Sequence, residues 1–133
     1  MEKVSTKTIH PSIRELLSFA TTYSKVEYEY EKYLNTFNRQ LFFLQQYGEI
    51  VGCIGIEIIN PNECVIKHIA VSTKQRGKSV GSQMIKFLSK QYTFISAETD
   101  NDAVGFYRKN GFKITSLGEK YPSVERFLCV YTN

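Results

Sequence analysis

One stretch of this chain combines residue types that together bind anions. Gln75-Arg76-Gly77-Lys78-Ser79-Val80-Gly81-Ser82 lies between an apolar run and an amphipathic one. A helix that starts there leaves about four backbone N–H groups without partners, and its dipole favours negative charge. Gly77 can adopt torsions closed to other residues, so neighbouring amides can converge on one anion. Gly81 offers no side chain to hold a phosphate away from the first turn, and Arg76 and Lys78 add positive charge. This is the recipe for a phosphate or pyrophosphate site; the plainer reading is a solvated loop that caps a helix. The GxxxxGK[ST] of nucleotide hydrolysis and the GxGxxG of dinucleotide folds are both absent.

The elements that must position this loop can be read from periodicity. Residues up to Ile9 suit a short edge strand. Pro11 or Ser12 opens a helix whose apolar stripe is Ile13, Leu16, Leu17 and Ala20. Val26 to Leu34 reads as a second helix, although its tyrosines favour helix poorly. Leu41–Leu44 is a strand, Tyr47-Gly48-Glu49 a turn, and Ile50–Ile59 a β-branched strand. Gly52 and Gly55 within that strand predict a bulge or the close approach of another backbone. Asn60-Pro61-Asn62 turns the chain into Cys64–Val71, apolar at nearly every position and so expected to be buried on both faces. Val80, Met84, Ile85, Phe87 and Leu88 then form a helical stripe, and Thr93–Ala97 is a strand. Ala103, Val104, Phe106 and Tyr107 form a last stripe, with Asp100 or Asn101 as its cap and Asn110-Gly111 closing it. Phe112–Thr115 and Val124–Tyr131 finish as strands. The order predicts an α/β (α+β) fold: a mixed, mostly antiparallel sheet of six to seven strands flanked by about four helices, with helices on both faces.

Two blocks carry a family resemblance. His68-Ile69-Ala70-Val71 followed by Arg76-Gly77-Lys78-Ser79-Val80-Gly81 resembles motif A of the GNAT N-acetyltransferases, Q/R-x-x-G-x-G/A. Arg76 meets the first position and Gly81 the last; Ser79 replaces the middle glycine, a change that is harmless as long as Ser79 needs no positive φ. The run Glu98 to Phe112 is similar to motif B of that family, N-x-x-A-x-x-F-Y-x-x-x-G-F, through Asn101, Ala103, Phe106, Tyr107, Gly111 and Phe112. The blocks occur in the family's order and cover about a third of the chain.

The resemblance implies one domain over residues 1–133 with the GNAT acyl-CoA N-acyltransferase fold, and acetyl transfer from acetyl-CoA to a primary amine in a ternary complex. Under it, backbone groups of Ile69, Ala70 and Val71 pair with the pantetheine arm, and the amides from Arg76 to Ser82, which include Val80, cradle the pyrophosphate. Asn101 hydrogen-bonds the pantetheine. Tyr107 protonates the leaving thiolate; taken without the motif, Tyr107 is an aromatic packed beside Phe106. The amine attacks the thioester directly, so no enzyme nucleophile is called for, and a backbone N–H can face the developing oxyanion. The carboxylate that many members carry at the start of the preceding strand is replaced here by Val65. Glu57 and Glu98 are alternatives as base, Glu63 and His68 weaker ones, and a water relay another. The region rich in Tyr and Glu, Tyr23 to Tyr33, could receive a cationic amine or be a solvated helix face. A polyamine, an aminoglycoside-like amine, a peptide N-terminus and a lysine side chain all remain open.

The whole chain sets outer limits. Its 133 residues and net charge of +4 suit a small globular domain with an anionic ligand, and the basic residues are scattered rather than massed on one element, against nucleic acid as a partner. Cys53, Cys64 and Cys129 lie in apolar runs with no CxxC spacing, which predicts reduced buried thiols and no metal. With no apolar leader or membrane-length segment, the expectation is a cytoplasmic protein that does not meet the membrane. A homodimer is compatible with the sequence but no pattern specifies it. The competing readings are a non-catalytic acyl-CoA-binding regulatory domain of the same fold and a nucleic-acid-binding module.

Overall fold

In the computed structural model, which describes residues 1–133, the sheet and helices follow from that patterning. The chain runs β1 (Glu2–Lys3), α1 (Pro11–Ala20), α2 (Val26–Asn35), β2 (Arg39–Gln46), β3 (Glu49–Asn60), β4 (Glu63–Val71), α3 (Val80–Ser89), β5 (Phe94–Thr99), α4 (Val104–Lys109), β6 (Lys113–Tyr121) and β7 (Val124–Thr132). Short 3-10 turns at Tyr23–Lys25 and Thr73–Gln75 lead into α2 and α3. The seven strands form one sheet ordered β1-β2-β3-β4-β5-β7-β6. Only β4 and β5 are parallel neighbours, joined by the α3 crossover.

Alternation along the strands divides the core into two layers. Ile54 and Ile56 of β3 join Val80, Met84, Ile85 and Leu88 of α3 and Tyr107 of α4 on one face. Cys53 of β3 and Leu41 of β2 join Leu16 and Leu17 of α1 and Val26, Tyr30 and Tyr33 of α2 on the other. Each apolar side chain fully buried in this way contributes roughly 1.5–3 kcal/mol. Helix α1 starts because His10 Nδ1 accepts the Ser12 N–H at 3.0 Å, with Pro11 at the first helical position. Helix α2 forms despite its tyrosines because Tyr30 and Tyr33 are core residues, and tertiary burial outweighs propensity differences of a few tenths of a kcal/mol.

Both strand glycines mark close approach. A Cβ on Gly52 would stand 3.0 Å from Val80 Cγ1 and 3.1 Å from Met84 Cε, so α3 rests directly on β3. A Cβ on Gly55 would stand 2.0 Å from Tyr33 Oη, so α2 is keyed into the opposite face. The β3–β4 register also shifts beside Gly55, leaving Lys67 as the extra residue of a bulge. Strand β4 departs from the expectation of burial on both faces. Cys64, Ile66 and Ala70 are buried, but Lys67 is exposed and Val65, Ile69 and Val71 are half-covered. The second half of the strand borders open space instead of another strand.

No helix is long and apolar enough to cross a membrane. The three cysteines are free and buried. Burial pushes the thiols of Cys53 and Cys64 up to about 12.

Candidate functional site

The open space beside β4 is made by the sheet itself. Strands β4 and β5 pair only through Glu63↔Phe94, Cys64↔Ile95 and Val65↔Ser96. Beyond Val65 the two diverge, β4 continuing to Val71 and β5 to Thr99. The bulge at Lys67 bends β4 at the point of divergence. From Ile66 to Val71 the edge of β4 turned away from β3 has no strand partner, so apart from the Val71 carbonyl, which takes a bond from Arg76, its outward backbone groups are open to something extended.

This gap runs into a cleft of about 640 Å³ that reaches the start of α3. Ile69, Ala70 and Val71 line it from β4, Gln75, Arg76, Gly77 and Ser79 from the turn, and Val80, Gly81 and Ser82 from the first turn of α3. Tyr107, Phe106 and Ala103 close it from α4. The first intrahelical bond of α3 runs from the Gln83 N–H to the Ser79 carbonyl at 3.0 Å, so the amides of Val80, Gly81 and Ser82 stay unpaired at the cleft wall. Gly77 has φ +78 with open space where a Cβ would lie.

Several readings of the loop change in three dimensions. Ser79 does adopt a positive φ, +67, so the glycine it replaces stood at a left-handed position and the serine carries that strain. Ser79→Gly is therefore expected to stabilise the fold by about 0.5–1 kcal/mol and to raise the melting temperature by a few degrees; a lower melting temperature would contradict the strain. Gly81 does not clear a path for phosphate. The place of its Cβ is taken by the Phe106 ring, with Cε1 at 2.6 Å, so this glycine lets α3 and α4 pack together. Arg76 is a brace as well as a charge: its Nε donates to the Val71 carbonyl at 3.2 Å, and its guanidinium lies 5.0 Å from the Phe19 ring centroid. Lys78 is exposed and outside the cleft lining.

Asn101 is likewise exposed and absent from the lining, which includes Asp100 and Asp102 instead. Counting back three places from Ala103 in motif B gives Asp100, so Asn101 is one residue out of register. The Asp100 Oδ1 accepts the N–H groups of Asp102 at 3.0 Å and Ala103 at 3.1 Å, which caps the entry to α4. Tyr107 is packed edge-on against Phe106 and Phe112, both at 5.2 Å between centroids. Its hydroxyl bonds to nothing in the chain, and no fully buried side-chain polar atom lacks a partner, so the hydroxyl opens onto the cleft it lines. Burial holds the phenol well above its ordinary pKa of 10.0, with the nearby Cys129 adding to the shift.

The carboxylates considered as bases are dispersed. Glu57 stands directly across from Val65 on β3 but is bound by Arg39 at 3.3 Å. Glu98, near the end of β5, pairs with Lys120 at 3.3 Å, and Glu63 at the start of β4 accepts from Asn60 at 3.3 Å. His68, in the freed part of β4, is held by Tyr33. Phe19 and Lys109 line the cleft with no signal in the local sequence, because α1 and the end of α4 reach it only through the fold. No group of His, Cys, Asp and Glu side chains is arranged to hold a metal ion.

Comparison with known proteins bears on the family and the fold. The sequence profile of the acetyltransferase (GNAT) domain matches residues 37–114. An uncharacterized N-acetyltransferase in the lysA 3′ region of Bacillus methanolicus is 32% identical over 68 residues, which are 51% of this chain and 57% of that protein. The match thus spans little more than half the length of that relative. A GNAT family acetyltransferase from Elizabethkingia anophelis, with acetyl-CoA bound, superposes with a TM-score of 0.74 at 23% identity, over 99% of this chain and 96% of that one. An aminoglycoside 6′-N-acetyltransferase complexed with coenzyme A gives 0.78 at 17% identity, over 99% and 97%. With its profile match spanning more than half of the sequence and its fold shared end to end, the chain belongs to the GNAT acetyltransferase family.

Proposed function

We propose that this protein transfers the acetyl group of acetyl-CoA to a primary amine by direct attack. The observation that carries the reading is the gap between β4 and β5, which joins a free strand edge to the unpaired amides of α3 and ends at the Tyr107 phenol. Each part has the right chemistry for one part of the donor. The amides of Val80, Gly81 and Ser82, with the turn at Gly77 and Ser79, suit a pyrophosphate, and Arg76 supplies positive charge beside them. The edge of Ile69, Ala70 and Val71 can pair with the two amides of a pantetheine arm as a strand pairs with its neighbour. An N–H on that edge can face the carbonyl oxygen as negative charge develops.

Tyr107 then has a defined task. The amine lone pair forms the new C–N bond, the C–S bond breaks, the sulfur takes the phenol proton, and an N–H bond of the attacking nitrogen breaks, its proton passing through water to restore the phenol. A phenol kept neutral by burial is available as that acid across the physiological range. Asp100 takes the place of the motif asparagine at the mouth of the cleft, and Asp102 beside it adds a second carboxylate. The acceptor is a small molecule or a peptide bearing a primary amine. The relatives that act on aminoglycosides make polyamino sugars the first group to test. A cytoplasmic location goes with this reading.

An amine panel with acetyl-CoA, read by thiol release, tests the proposal. The protein's own thiols are buried, so they add little background. Expected is release dependent on one amine class, with the acetylated product confirmed by mass. CoA binding with no transfer to any amine would instead leave a non-catalytic CoA-binding domain.

A further inference from the structure

One contact outside both core layers joins α1 to the turn that leads into α3. Phe19 sits in the last turn of α1, off the stripe of Ile13, Leu16 and Leu17 that buries this helix. It belongs to neither core cluster, and its ring is 43% exposed, so packing does not call for an aromatic there. The ring nevertheless lines the cleft, beside Gln75 and Arg76. What it meets there is a cation. The Arg76 Cζ lies over the ring, 5.0 Å from its centroid.

The same guanidinium is held at a second point, because its Nε donates to the Val71 carbonyl at 3.2 Å. A planar group bonded through one nitrogen and stacked on one face has little freedom left. Stacking occupies the face and leaves the edges open. Of the five N–H groups of Arg76, the four on Nη1 and Nη2 have no partner in the chain. The residue that lines the cleft beside the unpaired amides of α3 is thus both fixed and unsatisfied.

We propose that Phe19 is a positioning residue of this cleft, holding the Arg76 guanidinium ready for the pyrophosphate of CoA. The proposal rests on the donor half of the acetyl-transfer reading above. What the ring supplies is preorganisation. An arginine free to rotate on a turn has to be ordered by the ligand, and the side-chain entropy lost is subtracted from affinity. Here Val71 and Phe19 order it in advance. Charge-assisted bonds from Nη1 and Nη2 to phosphate oxygens then form without that cost. A lysine could not take the place of Arg76, because only a flat guanidinium can stack on a ring and still present N–H groups in its own plane.

The contact also crosses the sheet. Helix α1 belongs to the layer that holds Tyr30 and Tyr33, and α3 to the layer that holds Met84 and Tyr107. Phe19 therefore lets a helix of one face set the charge at an anion site built mainly by the other.

Calorimetric titration with CoA tests this and needs no acceptor. Phe19→Leu keeps an apolar side chain and removes the π face, and the exposed position should leave the fold intact. Expected is a CoA Kd about fivefold weaker, the scale of one exposed cation–π contact. Phe19→Tyr keeps the ring and should bind within about twofold of wild type. Arg76→Gln should itself weaken CoA binding, and adding Phe19→Leu to it should change Kd by less than about twofold, because the ring then has no cation to hold. Wild-type affinity in Phe19→Leu, an equal loss in both backgrounds, or a tyrosine that binds no better than leucine overturns the proposal. A wild-type protein that does not bind CoA refutes the donor reading and the Phe19 role with it. One that binds CoA, with Phe19 and Arg76 uncoupled, refutes the Phe19 role alone.

Discussion

Tyr107→Phe is expected to lower kcat by about 100-fold, within the range that a single general acid contributes. The substitution removes one oxygen and keeps the ring, so the edge contacts with Phe106 and Phe112 persist and the core should stay intact. That oxygen bonds to nothing in the chain, so its loss orphans no partner. CoA affinity should stay within about twofold and the melting temperature within a degree or two, well inside the change that 1 kcal/mol would produce. The comparison of kcat with CoA affinity decides the matter, because a packing role would move both together. Unchanged turnover would end the assignment of Tyr107 as the acid.

Gly55→Ala is the second large effect, and here two physical terms have opposite signs. Glycine inside a strand is usually a loss of roughly 0.5–1 kcal/mol, so propensity alone favours alanine. Sterics reverse this. The new Cβ would stand 2.0 Å from Tyr33 Oη and 2.2 Å from its Cζ, and Tyr33 is buried in the layer under α2 with nowhere to retreat. Overpacking costs about 1–3 kcal/mol, and the lost bond to His68 adds about 1 kcal/mol. The net is destabilisation by about 2–3 kcal/mol, or a fall in melting temperature on the order of 10 °C. Tyr33→Leu, which removes the clashing ring atoms, should cost less in the Gly55→Ala background than in the wild type. A melting temperature within 2 °C of wild type for Gly55→Ala alone would show that the ring moves freely.

These two residues also mark what could be read from sequence and what could not. Gly55 announced itself as an oddity in a β-branched run, which predicted a bulge or the close approach of another backbone; the structure has the bulge beside it on β4, but what approaches Gly55 is the Tyr33 side chain and not a backbone. Its partner Tyr33, 22 positions earlier, left no local trace, so the link to His68 emerged only when α2 docked on the sheet. The helices and strands were legible because apolar periodicity is local. The divergence of β4 from β5 was not, since pairing between strands separated by a crossover depends on the whole sheet. Ser79 shows the same limit at smaller scale: motif position flagged the departure, but the sign of φ is a property of the folded loop. Asn101 lies one residue from the motif position, and the structure leaves it exposed outside the cleft lining while Asp100 is part of that lining, a difference that no local pattern announces.

The three register pairs between β4 and β5 make the two halves of this sheet nearly separate bodies in the region where they diverge. An extended ligand lying along the free edge of β4 would act as the strand the polypeptide omits. Occupancy would then govern mechanical continuity as well as chemistry. The empty protein should unfold more locally around the gap, and the loaded protein more nearly as a unit, gaining RT ln(1 + [L]/Kd) in stability. Hydrogen exchange at the amides of Ile69 and Val71 would report that change from within the gap itself.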